Sequence, residues 1–161
     1  MIGVSTAFLV SCRTARSSSV EFKTTDEAAI AEMLARWAIK NHTDAFEGQG
    51  TTTYFLEIDG HDPGASFLSN HSFGSVTVKK ASACRRIQER GFPMTYRYED
   101  RRTKQRGALI SVSIEKWEDA DTAVVDYSWD FASLASYFVT MRLRRIHGNW
   151  VIVDKLWEMF S

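Results

Sequence analysis

Three alternating runs near the C-terminal end constrain the fold more than anything else in the chain. Over residues 109–117, Ile110, Val112 and Ile114 alternate with Ser111, Ser113 and Glu115. Over 124–131, Val125, Tyr127, Trp129 and Phe131 alternate with Asp126, Ser128 and Asp130. A third run starts at Tyr137 and sets Val139 and Met141 against Thr140 and Arg142. A period of two marks strands with one buried face. A turn at Asp119-Ala120 pairs Ile114 with Val125, Val112 with Tyr127 and Ile110 with Trp129. A loop over 132–136 then pairs Phe131 with Tyr137, Trp129 with Val139 and Tyr127 with Met141. In that alignment Ser128 faces Thr140 and Asp126 faces Arg142. A one-residue slip would set apolar against polar side chains throughout, so the runs predict a meander.

What covers the apolar face comes from the other end of the chain. Thr24-Thr25-Asp26-Glu27 is a capping box, and Ile30, Met33, Leu34 and Trp37 behind it fall on one helical stripe opposite Glu32, Arg36 and Lys40. The helix is predicted to end within 41–44. Residues 54–58 read as a short strand closed by Asp59-Gly60. Asp62-Pro63 reads as the cap and first position of a second helix carrying Phe67 and Leu68. Residues 76–98 read as two short strands with an irregular joint. The predicted class is α+β: an N-terminal helix packed in a curved antiparallel sheet, a cone-like, cystatin-type layer, with a C-terminal meander of three to four strands. A pocket between helix and sheet makes Trp37, Tyr127, Trp129 and Met141 the candidate ligand-binding residues.

Composition sets the bounds. The chain has 161 residues, 44% hydrophobic and 25% charged, enough for one domain over 24–161 that needs neither disulfide nor metal as a staple. Lys plus Arg and Asp plus Glu each number 20, so overall charge points to no nucleic-acid partner. The distribution is uneven: between Lys79 and Arg106 ten basic residues meet only Glu89, Glu99 and Asp100. The simplest reading is a solvated hairpin around 99–104.

Ahead of the domain, Leu9-Val10-Ser11-Cys12 resembles the Leu-x-small-Cys box of bacterial lipoprotein signals, which implies lipid attachment at Cys12. Residues 1–23 would then be signal and flexible tether, and the domain would sit on a bacterial cell envelope. No Lys or Arg precedes the apolar run, and the alternative is a cytoplasmic chain with a frayed start.

Residues 141–153, running from Met141-Arg142-Leu143 through His147-Gly148-Asn149-Trp150 to Val153, resemble the last hairpin of the nuclear transport factor 2-like superfamily. With the leading helix, the likeness spans 24–161. It implies a cone with an interior pocket, hosting isomerases, dehydratases and non-catalytic binding modules. Catalytic members place a carboxylate or His with a Tyr in that pocket, so Asp154 with Tyr127 or Tyr54 is the candidate constellation. Its test is the turn. A two-residue His147-Gly148 turn sets Asp154 opposite Met141, on the apolar face; a three-residue turn sets it opposite Arg142, outside.

Other chemistry is sparse. His42, Asp44, His61 and Asp62 lack metal-ligand spacing and suit turns and caps. Cys84, beside Arg85 and Arg86, reads as a half-buried thiol. No cofactor motif is present. The leading expectation is a non-catalytic domain binding a small apolar ligand or a protein partner. The alternatives are a small isomerase or dehydratase, and a homodimeric module using the polar face of Ser111, Ser113, Asp126, Thr140 and Arg142.

Expression in a bacterium followed by intact-mass analysis tests the address. The expected product begins at Cys12 and carries acyl mass; an unprocessed segment ahead of Cys12 without acyl mass removes the lipoprotein reading.

Overall fold

A computed structural model of the chain describes residues 25–42, 53–88, 95–132 and 135–160. Cys12, the expected lipid-attachment position, the rest of residues 1–23, Thr24, Asp44 and the side chain of His42 lie outside the described residues. The elements are α1 (Thr25–His42), β1 (Thr53–Ile58), α2 (Ala65–Asn70), β2 (Thr77–Lys80), β3 (Cys84–Gln88), β4 (Tyr96–Asp100), β5 (Arg106–Asp119), β6 (Thr122–Ala132), β7 (Ala135–Ile146) and β8 (Asn149–Phe160). A 3-10 turn, Ala81–Ala83, joins β2 to β3.

These elements correct the expected class. The described chain is mostly β, with eight strands in one mixed sheet rather than an α+β layer on an antiparallel one. β1 runs parallel to both β2 and β5. Parallel neighbours require a crossover, and the segment holding α2 carries the chain back between β1 and β2. No local pattern announces such a pairing. The 76–98 stretch likewise yields three strands, because β3 leaves the sheet path to pair with β4 alone. Asp62 does not cap α2, whose N-cap is Gly64; its carboxylate accepts the Ser82 N–H at 2.8 Å instead.

The meander is present, with one change of alignment. β5 and β6 pair as expected: Ile114 with Val125, Val112 with Tyr127 and Ile110 with Trp129. Between β6 and β7 the register is moved by two residues, giving Trp129–Tyr137, Tyr127–Val139 and Val125–Met141, with Asp126 opposite Thr140. The strands run on to Ala132 and Ala135, which pair. A shorter connection than the expected 132–136 loop thus moves the partners but, being an even shift, keeps every face.

α1 lies on the apolar face. Ile30, Leu34, Ala31, Ala35 and Ala38 are buried on it, and the three alanines let the helix axis approach the strands closely. Met33 and Trp37 flank this stripe, half-buried against the same core. Beneath it Tyr54, Leu56, Ile110, Val112, Val125, Tyr127, Met141 and Leu143 are 2% exposed or less, each large side chain contributing roughly 1.5–3 kcal/mol of transfer free energy. Arg145 fastens the helix start: its guanidinium meets Asp26 at 2.9 Å and Asp121 at 2.8 Å.

The sheet forks where β5 and β6 part. β4 enters the fork, with Tyr98 opposite Gly107 and Arg97 opposite Ala132. Gly107 also pairs with Thr53 of β1, and an added Cβ would stand 2.3 Å from the Thr53 carbonyl oxygen, so no larger residue fits. Asp130 holds the wedge. Buried at 4% exposure, its carboxylate accepts the Tyr98 hydroxyl at 2.8 Å, the Tyr96 hydroxyl at 3.0 Å and the Ser136 hydroxyl at 2.8 Å. Around it Phe55, Ala81, Cys84, Tyr98 and Leu109 form a second, smaller core on the face away from α1.

The basic stretch is not a simple solvated hairpin. Glu99 and Asp100 are buried, Glu99 against Arg85 at 2.7 Å and Asp100 against Lys79 at 2.7 Å. The Lys79 ammonium, helped by the backbone N–H groups of Thr103 and Arg102, holds the Asp100 carboxyl well below the usual range.

Asp130→Ala leaves three hydroxyls, two of them buried, without this acceptor. The expected loss is about 3 kcal/mol, read as a lower urea midpoint at unchanged slope; a shift equal to that of an exposed Asp→Ala control would show that the wedge does not depend on this carboxylate.

Candidate functional site

The side chains that point away from α1 meet two different surroundings. Near the fork they are covered by β3 and β4. Farther along β5, β6 and β7 nothing among the described residues covers them, and there the sheet carries a cleft of about 240 Å³. Its floor is the polar half of the alternation: Ser111 and Ser113 from β5, Asp126 and Ser128 from β6 and Thr140 from β7. Glu57 of β1 and Gly60 bound one side, and Phe138 and Trp157 the other.

Hydrogen bonds fix that floor. The Thr140 hydroxyl donates to Asp126 at 2.6 Å, Ser113 to Asp59 at 3.0 Å and Ser111 to Glu57 at 3.4 Å. Burial pushes the Glu57 carboxyl up, and the Asp62 charge adds to the rise against the opposing Ser111 bond and His61 charge. Glu115, beside Asp126, is also raised, first by the Asp126 charge and then by the hydrogen bond between them. Trp157 stands 54% exposed, an aromatic face available to a ligand.

The residues singled out from sequence divide between two faces. Trp37, Tyr127, Trp129 and Met141 do come together, in the core under α1. Trp37 meets Tyr127 edge-on at 5.3 Å, and Tyr127, Trp129 and Met141 are buried. Tyr54 joins the same core; burial pushes its phenol up to about 12 and that of Tyr127 higher still. Asp154 is elsewhere. The two-residue turn forms, with His147 and Gly148 both at positive φ, and Leu143 faces Ile152. A bulge at Val153 then brings Asp154 opposite Arg142, where they pair at 3.3 Å in solvent. One inserted residue moves the carboxylate to the opposite face from Tyr54 and Tyr127.

Of the metal-ligand candidates, His61 Nδ1 lies 2.6 Å from the Asp59 carbonyl oxygen and Asp62 holds Ser82. No three His, Cys, Asp or Glu side chains converge among the described residues. Cys84 is buried at 3% exposure rather than half-exposed. Among the described residues no helix is long and apolar enough to cross a membrane.

The polar face of Ser111, Ser113, Asp126 and Thr140 was legible from the alternation. Glu57, Phe138 and Trp157 were not. Their signal is an apolar residue out of phase: Phe138 and Trp157 occupy polar-face positions in β7 and β8, opposite Met159 and Thr140.

No family model, curated protein or solved structure matches the chain.

Burial of Glu57 has a consequence for stability. A carboxylate raised by burial destabilises the fold above its unfolded pKa, as pH climbs through the folded value, and costs nothing when protonated. Glu57→Gln is therefore expected to raise Tm at pH 7 by about 1–4 °C, with the gain vanishing toward pH 3. A lower Tm at pH 7 would show Glu57 to be a structural residue.

Proposed function

We propose that the protein is a non-catalytic binding domain whose ligand sits in the cleft on the open face of the sheet. One observation carries the reading: the polar face of three adjacent strands is left open by the described residues, pre-set by its own hydrogen bonds and flanked by Phe138 and Trp157. A sheet floor of this kind is rigid, so little conformational entropy is lost when a ligand binds. On the helix side, where sequence alone put the pocket, Tyr127, Trp129 and Met141 are buried in the core. An isomerase-type reaction needs a base within reach of its tyrosine; Asp154 lies across the sheet, ion-paired, while Tyr54 and Tyr127 are enclosed. The leading helix and the Gly148–Trp150 hairpin support kinship with the nuclear transport factor 2-like superfamily, though with the binding surface on the other side of the sheet.

Amide-shift mapping with a mixture of small polar and aromatic fragments tests the location. Shifts are expected to cluster on Ser111, Ser113, Ser128, Thr140 and the Trp157 indole, and to disappear in Ser113→Trp, which fills the cleft. Shifts confined to the residues around Trp37 and Met141 would return the site to the helix side and overturn the proposal.

A further inference from the structure

The cleft is one-sided in its hydrogen bonding. A hydroxyl has a single proton to give, and those of Thr140, Ser113 and Ser111 are given to Asp126, Asp59 and Glu57. What these groups present to the cleft is lone pairs, and the carboxylates beneath are acceptors only. Among these groups acceptors outnumber donors, the Ser128 hydroxyl being the floor's remaining side-chain donor.

Its charge is one-sided too. No Lys, Arg or His lines the cleft. Most other described carboxylates that make ion pairs do so with a nearby base: Asp26 with Arg145, Asp100 with Lys79, Glu118 with Arg142 and Glu158 with Lys155. Among the described residues Glu57 and Asp126 have no such pairing, and Glu115 is pressed against Asp126. A phosphate, carboxylate or sulfate ligand would meet the charge of Glu57 and Asp126, with only the Ser128 hydroxyl and the Trp157 indole N–H as side-chain donors among the described lining residues. Along the other wall Trp157 and Phe138 offer aromatic faces, whose negative quadrupole attracts a cation. The volume suits a group of amino-acid side-chain size.

We propose that this cleft is a seat for an organic cation, an amine- or guanidinium-bearing group whose N–H donors meet Glu57, Asp126 and the serine and threonine oxygens while its flat or alkyl part lies on Trp157 and Phe138. The inference rests on the cleft being the ligand site. A guanidinium fits best, being planar, always charged and supplied with five donors for a carboxylate and an aromatic face together. It can arrive as a small free molecule or as an arginine side chain displayed by a peptide.

The test is an NMR titration of the full chain with n-butylguanidinium, with its neutral isostere n-butylurea, and with acetyl-Gly-Arg-Gly-amide. The guanidinium is expected to shift the Trp157 indole and the Thr140 and Ser113 amides saturably, and the urea to leave them in place. Raising salt from about 50 to about 500 mM should weaken binding several-fold. Glu57→Gln and Asp126→Asn, which keep side-chain shape, should each weaken it about tenfold or more. Should one of them fail to fold, the isostere and salt comparisons decide on the unaltered protein. Tighter binding of the peptide assigns the cation to a protein side chain, and tighter binding of n-butylguanidinium to a free amine; either supports the proposal. Equal shifts from urea and guanidinium would overturn the cation and leave the cleft as a site for neutral ligands. No shift in the cleft from any of the three probes would overturn the cation, and an empty fragment map there would overturn the site as well.

Discussion

The buried carboxylate of Asp130 is the contact on which the rest of this sheet depends. It lies where β5 and β6 diverge and gathers hydroxyls from β4 and β7. A buried carboxylate is costly unless its oxygens are well bonded; three hydroxyl donors meet that need. The result is a fork closed by a strand rather than by a frayed edge. Because β4 is held there, β3 and the 3-10 turn are held with it, and the second core of Phe55, Cys84, Tyr98 and Leu109 can form.

That wedge decides which part of the outer face is covered. At the fork end, the row that includes Asp130 is roofed over by β4. Toward Asp126 and Ser128 the roof stops and the floor of the cleft begins. One sheet therefore carries a closed hydrophobic face under α1, a small closed core on the reverse and an open polar hollow beside it. The polar alternation of β5, β6 and β7 serves solvent in many sheets; here it is flanked by Phe138 and Trp157, which gives the hollow two walls of different chemistry.

Charge is sorted along the same lines. The basic surplus of residues 79–106 is partly neutralised from within, because Glu99 and Asp100 lie buried beneath Arg85 and Lys79. Arg101 spends its guanidinium on the Ser82 and Cys84 carbonyl oxygens, tying the β4–β5 turn to the neighbouring 3-10 turn. Several carboxylates elsewhere are paired with Arg142, Arg145 and Lys155. Among the described residues Glu57 and Asp126 make no such ion pair, and they give the hollow its negative side.

The sequence by itself determined the local periods. The two-residue alternation set which side chains of β5, β6 and β7 face α1, and the stripe of Ile30 and Leu34 set the face that α1 buries, because side-chain direction follows the backbone repeat. The place of the turn at His147-Gly148 was legible too, but its length was left open between two and three residues, and the structure chose two. Tertiary structure alone decided the parallel pairing of β1, the entry of β4 into the fork and the bulge at Val153. Each of these hangs on hydrogen bonds between residues far apart in the chain, for which no local period exists. Asp154 shows the consequence: its neighbours alternate faithfully, yet a single unpaired residue ahead of it turned the carboxylate from the core to the solvent.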